Sequence, residues 1–314
     1  MINVEYLQEG EQFTQVKQAK QGGGQRLRLS FFNNNVQVIE DLYDRTQKWY
    51  NIFYTDKNSL SLHYGFWNEH TCSKKEALLN QYREVAALLN PSPGKRVLDA
   101  GCGVGGASIW LAENTGAAMV GITLSSVQVN LAKKYAQERG VSQKASFYPA
   151  NYFETGFQEE SFDQAFAIES FCYSYPEPER FFQEMHRILK PGGEIVISDA
   201  FLLRQLQGDQ EIKIARDFCQ GVKMNGWSTK DEIIAALEQC GFKLIRFVDK
   251  TGEVEKSVRD VYRLGRLSLP FFYLLKPLGL ASKIEIDHYL FACSQRELYN
   301  QGLVGYGLFC AVKN

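Results

Sequence analysis

The run Asp99-Ala100-Gly101-Cys102-Gly103-Val104-Gly105-Gly106 is where this sequence first suggests chemistry. Gly101, Gly103 and Gly106 satisfy a G-x-G-x-x-G pattern. Glycines at this spacing permit a tight turn, and their missing side chains let a ligand lie against the backbone. A helix starting just after the turn offers unpaired N–H groups to a carboxylate or phosphate. The pattern alone fits nicotinamide and flavin sites as well as others. Asp99 directly precedes the loop, and an acid there suits a cation, such as an amino acid's ammonium, better than a pyrophosphate. A NAD site also wants an acid ending the second strand, to hold ribose hydroxyls. This chain has Gly121-Ile122-Thr123-Leu124-Ser125 at that place. Three further side chains could do chemistry: Glu169 at the end of an apolar run, Tyr173 shortly after it, and His63 in an aromatic stretch.

These residues need a scaffold, and the pattern around them is one of alternating strands and helices. Strands are expected at 96–100, 117–122, 145–148, 162–168, 194–198 and 242–248. Helices are expected at 104–114, 125–139, 179–189 and 229–239, with Pro191-Gly192-Gly193 closing the third and Gly241 just past the fourth. Such alternation implies an α/β fold, a doubly wound and mostly parallel sheet with helices on both faces. Ligands in such sheets bind at the carboxyl ends of the strands, near the switch in strand order. Two stretches, about 201–228 and 251–300, break the rhythm.

Phe162-Asp163-Gln164-Ala165-Phe166-Ala167-Ile168-Glu169 and Leu189-Lys190-Pro191-Gly192-Gly193 follow the glycine loop in a recognisable order. Over roughly 95–248 the chain resembles class I S-adenosylmethionine (SAM)-dependent methyltransferases, of Rossmann-like fold. Gly121-Ile122-Thr123-Leu124-Ser125 with Gln128, and Leu62-His63-Tyr64-Gly65-Phe66-Trp67, narrow the resemblance to the group holding tocopherol, sterol, cyclopropane-fatty-acid and prenyl-diphosphate C-methyltransferases. The resemblance implies SAM as cofactor, with S-adenosylhomocysteine as product. Asp99, Gly101, Gly103 and Gly105 would hold its methionine end, and Gln128, with Thr123 and Leu124, its ribose. Asn151 would meet the adenine amino group, with Phe153 beside the base and Tyr152 a further cofactor-binding residue. Tyr43, Tyr54 and Tyr64 would be ring contacts of an aromatic segment covering the cofactor, and Glu169 would lie where the methyl group is. Tyr173 stands where the tocopherol and sterol enzymes commonly carry histidine, and the Glu-Ser-x-x-Tyr arrangement is similar to that of bacterial prenyl-diphosphate methyltransferases.

The implied activity is methyl transfer to a lipophilic small molecule (a terpenoid, prenylated or related natural product), with methylation on carbon. The alternatives are an O- or N-methyltransferase of an alkaloid or phenol, a NAD(P)-dependent oxidoreductase, which the missing acid at Thr123 argues against, and a non-catalytic SAM-binding module. Glu169 is the foremost catalytic candidate: it can steady a carbocation and take its proton, or act as base toward an oxygen or nitrogen. Tyr173 and His63 are further catalytic candidates. Phe271, Phe272 and Tyr273 suit the wall of a greasy chamber, and aromatic faces stabilise cations. Arg259, Arg263, Arg266 and Lys276 either meet a diphosphate or form a solvated face.

The chain has 314 residues, 45% of them hydrophobic and 23% charged, enough for a large core without cross-links. Its net charge of -1 gives no field to recruit nucleic acid. Seven scattered cysteines and four histidines show no metal-ligand spacing, so no metal is expected and the thiols suit a reducing cytoplasm. No secretory signal and no membrane span are expected; the longest greasy run, 269–280, is broken by Lys276 and two prolines. The expected organisation is a flexible tail (1–35), a helical aromatic segment covering the cofactor (36–92), the SAM-binding core (93–250), a helical cap (251–302) and a final core strand (303–314).

Overall fold

The computed structural model describes residues 16–21, 24–53 and 59–314 of the chain. Its centre is a seven-stranded sheet: β3 (Arg96–Ala100), β4 (Ala118–Thr123), β5 (Ala145–Pro149), β6 (Phe162–Ile168), β7 (Leu189–Leu202), β8 (Phe242–Asp249) and β9 (Val304–Lys313). The spatial order is β5-β4-β3-β6-β7-β9-β8. All neighbours pair in parallel except β9, which runs antiparallel between β7 and β8. This is the expected doubly wound sheet. The order reverses at β3, whose neighbours β4 and β6 lie on opposite sides, and the crevice beyond those strand ends is where such sheets bind ligands.

Strand periodicity explains the two-faced core. Val97 packs with α2 (Lys74–Leu89), α3 (Gly106–Thr115) and α4 (Ser126–Glu138), whereas its neighbour Leu98 packs with α5 (Pro178–Ile188) and α7 (Lys230–Gln239). Consecutive strand residues point to opposite faces, so a strand buried on both sides needs an unbroken apolar run. Caps set the helix starts. Ser73, Ser125 and Thr229 each accept a backbone N–H from the first turn of α2, α4 and α7. Pro191-Gly192-Gly193 lies within β7, which begins at Leu189, directly after α5 ends at Ile188.

The remaining elements sit over the strand ends. α1 (Val36–Phe53) contacts α4, and α6 (Gly208–Val222) packs on α9 (Lys283–Asn300). α8 (Thr251–Leu275) and α9 pair as a hairpin within the stretch expected to form a cap. The segment expected to be an unstructured tail differs. Within its described part, β1 (Val16–Gln21) and β2 (Gly24–Leu29) pair as an antiparallel hairpin of six register pairs. A glycine-rich run between two segments suits a hairpin as well as a linker, which composition does not distinguish.

Candidate functional site

Two cavities adjoin beyond the strand ends. The first, of about 1030 Å³ including its open mouth, is lined by the glycine loop, Asp99, and the residues following β4 and β5. The second, of about 970 Å³, is walled by α1, α6, α8 and α9 and the ends of β6, β7 and β9. Both are lined by Tyr43, Leu62, Glu169 and Tyr173, so these four side chains mark the junction.

The first cavity gathers most of the residues expected to hold a cofactor. Asp99, Gly101, Gly103, Thr123, Leu124, Gln128, Asn151, Tyr152, Phe153, Glu169 and Tyr43 all line it. Gly101 has φ of +92°, and an added Cβ would lie 2.3 Å from the Ser170 Cβ, so no other residue fits. Asp99 is buried, accepts a hydrogen bond from Ser108 Oγ at 2.7 Å, and burial pushes its carboxyl up to about 7. A buried carboxyl of this kind gains its charge readily beside a cation. Thr123 donates to Gln128 Oε1 at 2.9 Å, and Asn151 Oδ1 accepts the Phe153 N–H at 3.0 Å, so both amides are oriented before any ligand arrives. Tyr152 donates to the Ser170 carbonyl at 3.0 Å.

Helix α1 is latched over this cavity. Gln128 Nε2 donates to Gln47 Oε1 at 3.0 Å, and Ser125 Oγ donates to Asp44, while capping α4. Both α1 partners escaped the sequence reading: nothing local pairs residues 81 positions apart.

Glu169 is the centre of the junction. Its Oε1 accepts the Tyr64 N–H at 2.8 Å and the Tyr306 O–H at 3.0 Å. No described residue bonds Oε2, which leaves that oxygen for the cavities. Burial, reinforced by nearby Asp199, pushes the carboxyl up to about 8 against its two hydrogen bonds. Its backbone takes φ of +48°, an uncommon state for a residue with a side chain, and its N–H is fixed on the Ser198 carbonyl at 2.9 Å. Tyr306 is itself held by Gln81 Nε2 at 2.6 Å and by Ser198 Oγ at 3.3 Å. Asp199 accepts the Cys172 and Ala200 N–H groups and is pushed up to about 7 by burial. Tyr306, Asp199, Gln81 and Ser198 were not legible in the sequence.

Four expected roles need correction. Tyr64 does not line the first cavity; its ring faces Tyr306 in the second, and its backbone rather than its ring serves Glu169. Gly105 does not line the cavity either. It caps α3 with φ of +85°, and a Cβ there would meet the Phe147 ring at 2.8 Å, so its glycine serves packing. His63 lines the first cavity and not the second. Its Nδ1 lies 2.7 Å from the Tyr64 carbonyl, which makes that nitrogen the N–H donor, and burial lowers the ring to about 4. Burial thus keeps the ring neutral at physiological pH and makes it a weak base. Tyr173 donates to the Val222 carbonyl at 2.8 Å, and therefore receives the Tyr43 hydroxyl at 3.0 Å; burial raises both phenols well above 10. Tyr173 is thus a fixed wall of the junction and not a base. Tyr54 lies outside the described residues.

Of the aromatic cap residues, Tyr289 and Phe291 line the second cavity, joined by Trp227 from between α6 and α7, while Phe271, Phe272 and Tyr273 do not. Phe272 is buried in a separate small cluster near the α8–α9 turn. Arg259, Arg263, Arg266 and Lys276 line neither cavity; Arg259 and Arg263 lie 3.9 and 3.6 Å from Glu255 and Asp260 on their own helix.

A glycine-cradled cavity at the switch point, floored by a buried carboxyl, defines a protein that binds a nucleotide-type cofactor with a cationic end. Residues 98–197 match the family described as Methyltransferase domain. The chain is 29% identical over 250 residues to Methyltransferase GfsG of Streptomyces halstedii, covering 79% of this chain and 85% of that protein. It is 31% identical over 179 residues to 24-methylenesterol C-methyltransferase 2 of Oryza sativa subsp. japonica, covering 56% of this chain and 49% of that relative. It superposes, with a TM-score of 0.65, on geranyl diphosphate C-methyltransferase from Streptomyces coelicolor A3(2), solved with Mg2+, geranyl diphosphate and S-adenosyl-L-homocysteine; 20% of residues are identical, over 87% of this chain and 97% of that one. The chain carries a methyltransferase domain and is a SAM-dependent methyltransferase, and its cofactor is SAM. Within that class it resembles the group of sterol, cyclopropane-fatty-acid and prenyl-diphosphate C-methyltransferases.

Proposed function

We propose that this enzyme methylates a carbon of a lipophilic natural product, with the acceptor in the second cavity and SAM in the first. The observation that carries this reading is the shared junction: Glu169 lines both cavities, with one oxygen held by two donors and the other bonded by none of the described residues. Asp99 and the loop at Gly101 and Gly103 would hold the amino-acid end of SAM, Thr123 and Gln128 its ribose, and Asn151 and Tyr152 its adenine. When bound, SAM supplies a methyl group on a positively charged sulfur. An alkene that gains a methyl group carries positive charge on the adjacent carbon and must then lose a proton. The rings of Tyr43, Tyr64, Tyr173 and Tyr306 border the junction, where aromatic faces favour such a cation. Glu169 Oε2 would take the proton, while Tyr64 N–H and Tyr306 O–H fix the other oxygen.

The second cavity's walls also bear on the acceptor's charge. They include the carboxyls of Glu169 and Asp199, and among the described residues that line it there is no lysine or arginine. This supports a neutral acceptor that becomes cationic during reaction over a diphosphate. The curated relative from rice is named for a sterol and the solved neighbour holds geranyl diphosphate, so lipophilic acceptors are common to both. Seven unpaired thiols support a reducing, cytoplasmic compartment.

Mass spectrometry of terpenoid, sterol and prenylated-aromatic acceptors incubated with methyl-labelled SAM tests the reading. A product with one labelled methyl bound to carbon is expected. A label found only on oxygen or nitrogen overturns carbon methylation, and cofactor binding without transfer to any acceptor class overturns the catalytic reading.

A further inference from the structure

The α8–α9 hairpin carries an apolar surface that none of the site chemistry uses. Leu267, Tyr273, Leu274, Leu278 and Leu280 are 81%, 54%, 72%, 68% and 56% exposed. Leu267, Phe271 and Leu274 recur on α8 at intervals of four and three residues, the spacing of one helical stripe, and Leu278 follows in the 3-10 turn Lys276–Leu278. Scattered exposed leucines need no explanation, but a continuous stripe ending at a hairpin tip does.

Four cations lie along this stripe; two of them, Arg263 and Lys283, face Asp260 and Asp287 at 3.6 and 2.7 Å, which leaves Arg266 and Lys276 without a carboxylate partner among the described residues. Residues 261–284 include Arg263, Arg266, Lys276 and Lys283 and no aspartate or glutamate, in a chain whose net charge is -1. All four cations are exposed. An exposed apolar stripe flanked by cations is complementary to one surface in particular, a bilayer with anionic headgroups. No described helix is long and apolar enough to cross a membrane, so the contact would be interfacial.

The position of the stripe links it to the site. Val261, Leu264 and Gly265 of α8 and Tyr289 and Ala292 of α9 wall the second cavity. The same two helices therefore line the acceptor cavity and bear the stripe at their tip. We propose that the α8–α9 tip docks on anionic bilayers, drawing lipophilic acceptors from the membrane toward the second cavity. The acceptor half of this statement rests on the proposed function; the docking half does not.

Vesicle flotation of the full chain tests docking without SAM or acceptor, so its failure is separable from any failure of methyl transfer. Vesicles of phosphatidylcholine alone are compared with equal parts phosphatidylcholine and phosphatidylglycerol. The wild type should float with the anionic vesicles and lose binding as salt rises. Leu274→Asp with Leu278→Asp should weaken partition roughly a hundredfold, since two exposed leucines lose their insertion. Arg266→Glu with Lys276→Glu should weaken it roughly tenfold or more, from the loss of two surface cations. Unchanged SAM binding certifies that both variants are folded. Absence of wild-type flotation, or variants that float like wild type, overturns the proposal. So does a wild-type dimer that the leucine pair dissociates while vesicle binding is nil, because the stripe then faces a second copy.

Discussion

Replacing Glu169 by glutamine separates its chemistry from its architecture. The amide carbonyl can still accept the Tyr64 N–H and the Tyr306 O–H, now at 2.8 and 3.0 Å from Oε1. What changes is the other end: an oxygen that can take a proton becomes an NH2 that can only donate. A positioned base contributes about a hundredfold to ten-thousandfold. Glu169→Gln should therefore lower kcat by roughly that factor, equivalent to about 3–5 kcal/mol of barrier. SAM affinity, by calorimetry, should stay within a few-fold, because Asp99 and the glycine loop are untouched.

The pH profile adds a second readout. Burial pushes Glu169 up to about 8, so the wild-type rate should rise with pH toward that value as the carboxyl ionises. A cation held in the first cavity moves this limb to lower pH. The limb should vanish in Glu169→Gln. Steady-state turnover with labelled SAM across pH reads both effects. Full turnover in a variant that binds SAM normally would falsify the base assignment. A retained limb would show that another group carries it.

Four further outcomes follow from the same geometry. Tyr306→Phe removes a hydrogen bond that lowers the Glu169 carboxyl's pKa, so the rising limb should shift to higher pH with SAM affinity unchanged; an unmoved limb counts against the Tyr306–Glu169 coupling. Gly101→Ala forces a Cβ to 2.3 Å from Ser170 at φ of +92°, so calorimetry should find no SAM binding and melting should show a loss of about 2 kcal/mol or more; normal binding refutes the cradle. Gln47→Ala cuts the α1 bond to Gln128, so cofactor release in stopped-flow should accelerate roughly tenfold; an unchanged rate means that α1 is no latch. Asp99, Glu169 and Asp199 have folded values of about 7, 8 and 7 against ordinary values of 3.8, 4.5 and 3.8. Their neutral forms favour folding, so this contribution is complete below the ordinary values and is lost as pH rises through the folded ones. The melting temperature of the cofactor-free protein should fall from pH ~5 to pH ~8.5; a rise over that window contradicts these assignments.

The scaffold was legible because its signals are local. Val97 and Leu98, an apolar pair flanked by Arg96 and a glycine loop, read as a buried strand without knowledge of their neighbours. The first cavity was legible for the same reason: Asp99, Gly101, Thr123 and Asn151 each end a strand or follow one. The second cavity was not. Tyr306 reaches Glu169 across 137 residues of sequence, and β9 enters the sheet antiparallel, so no period or spacing connects them. Tyr64 shows the smallest scale of this limit. His63 and Tyr64 are adjacent, yet one lines the first cavity and the other the second. Neighbouring side chains along an irregular connection face opposite ways as readily as the same way, so an aromatic segment known to cover a site does not tell which ring serves which ligand.

That division at Leu62, His63 and Tyr64 also explains why one carboxylate can serve two ligands. The connection passes between the cavities, and its Tyr64 N–H bonds Glu169 where they meet. Moving this strap by a residue would exchange the faces of His63 and Tyr64 and withdraw the donor that fixes Glu169. Its position is fixed at three points: the Tyr64 N–H on Glu169, the Gly65 N–H on Ser257 Oγ at 2.9 Å, and the Phe66 N–H on the Ala77 carbonyl at 2.8 Å. Ser257 belongs to α8, which also walls the second cavity. The cap and the Glu169 carboxylate are therefore joined through a short run of backbone. Changes in the cap that suit a new acceptor must keep that run in register, or they alter Glu169 along with specificity.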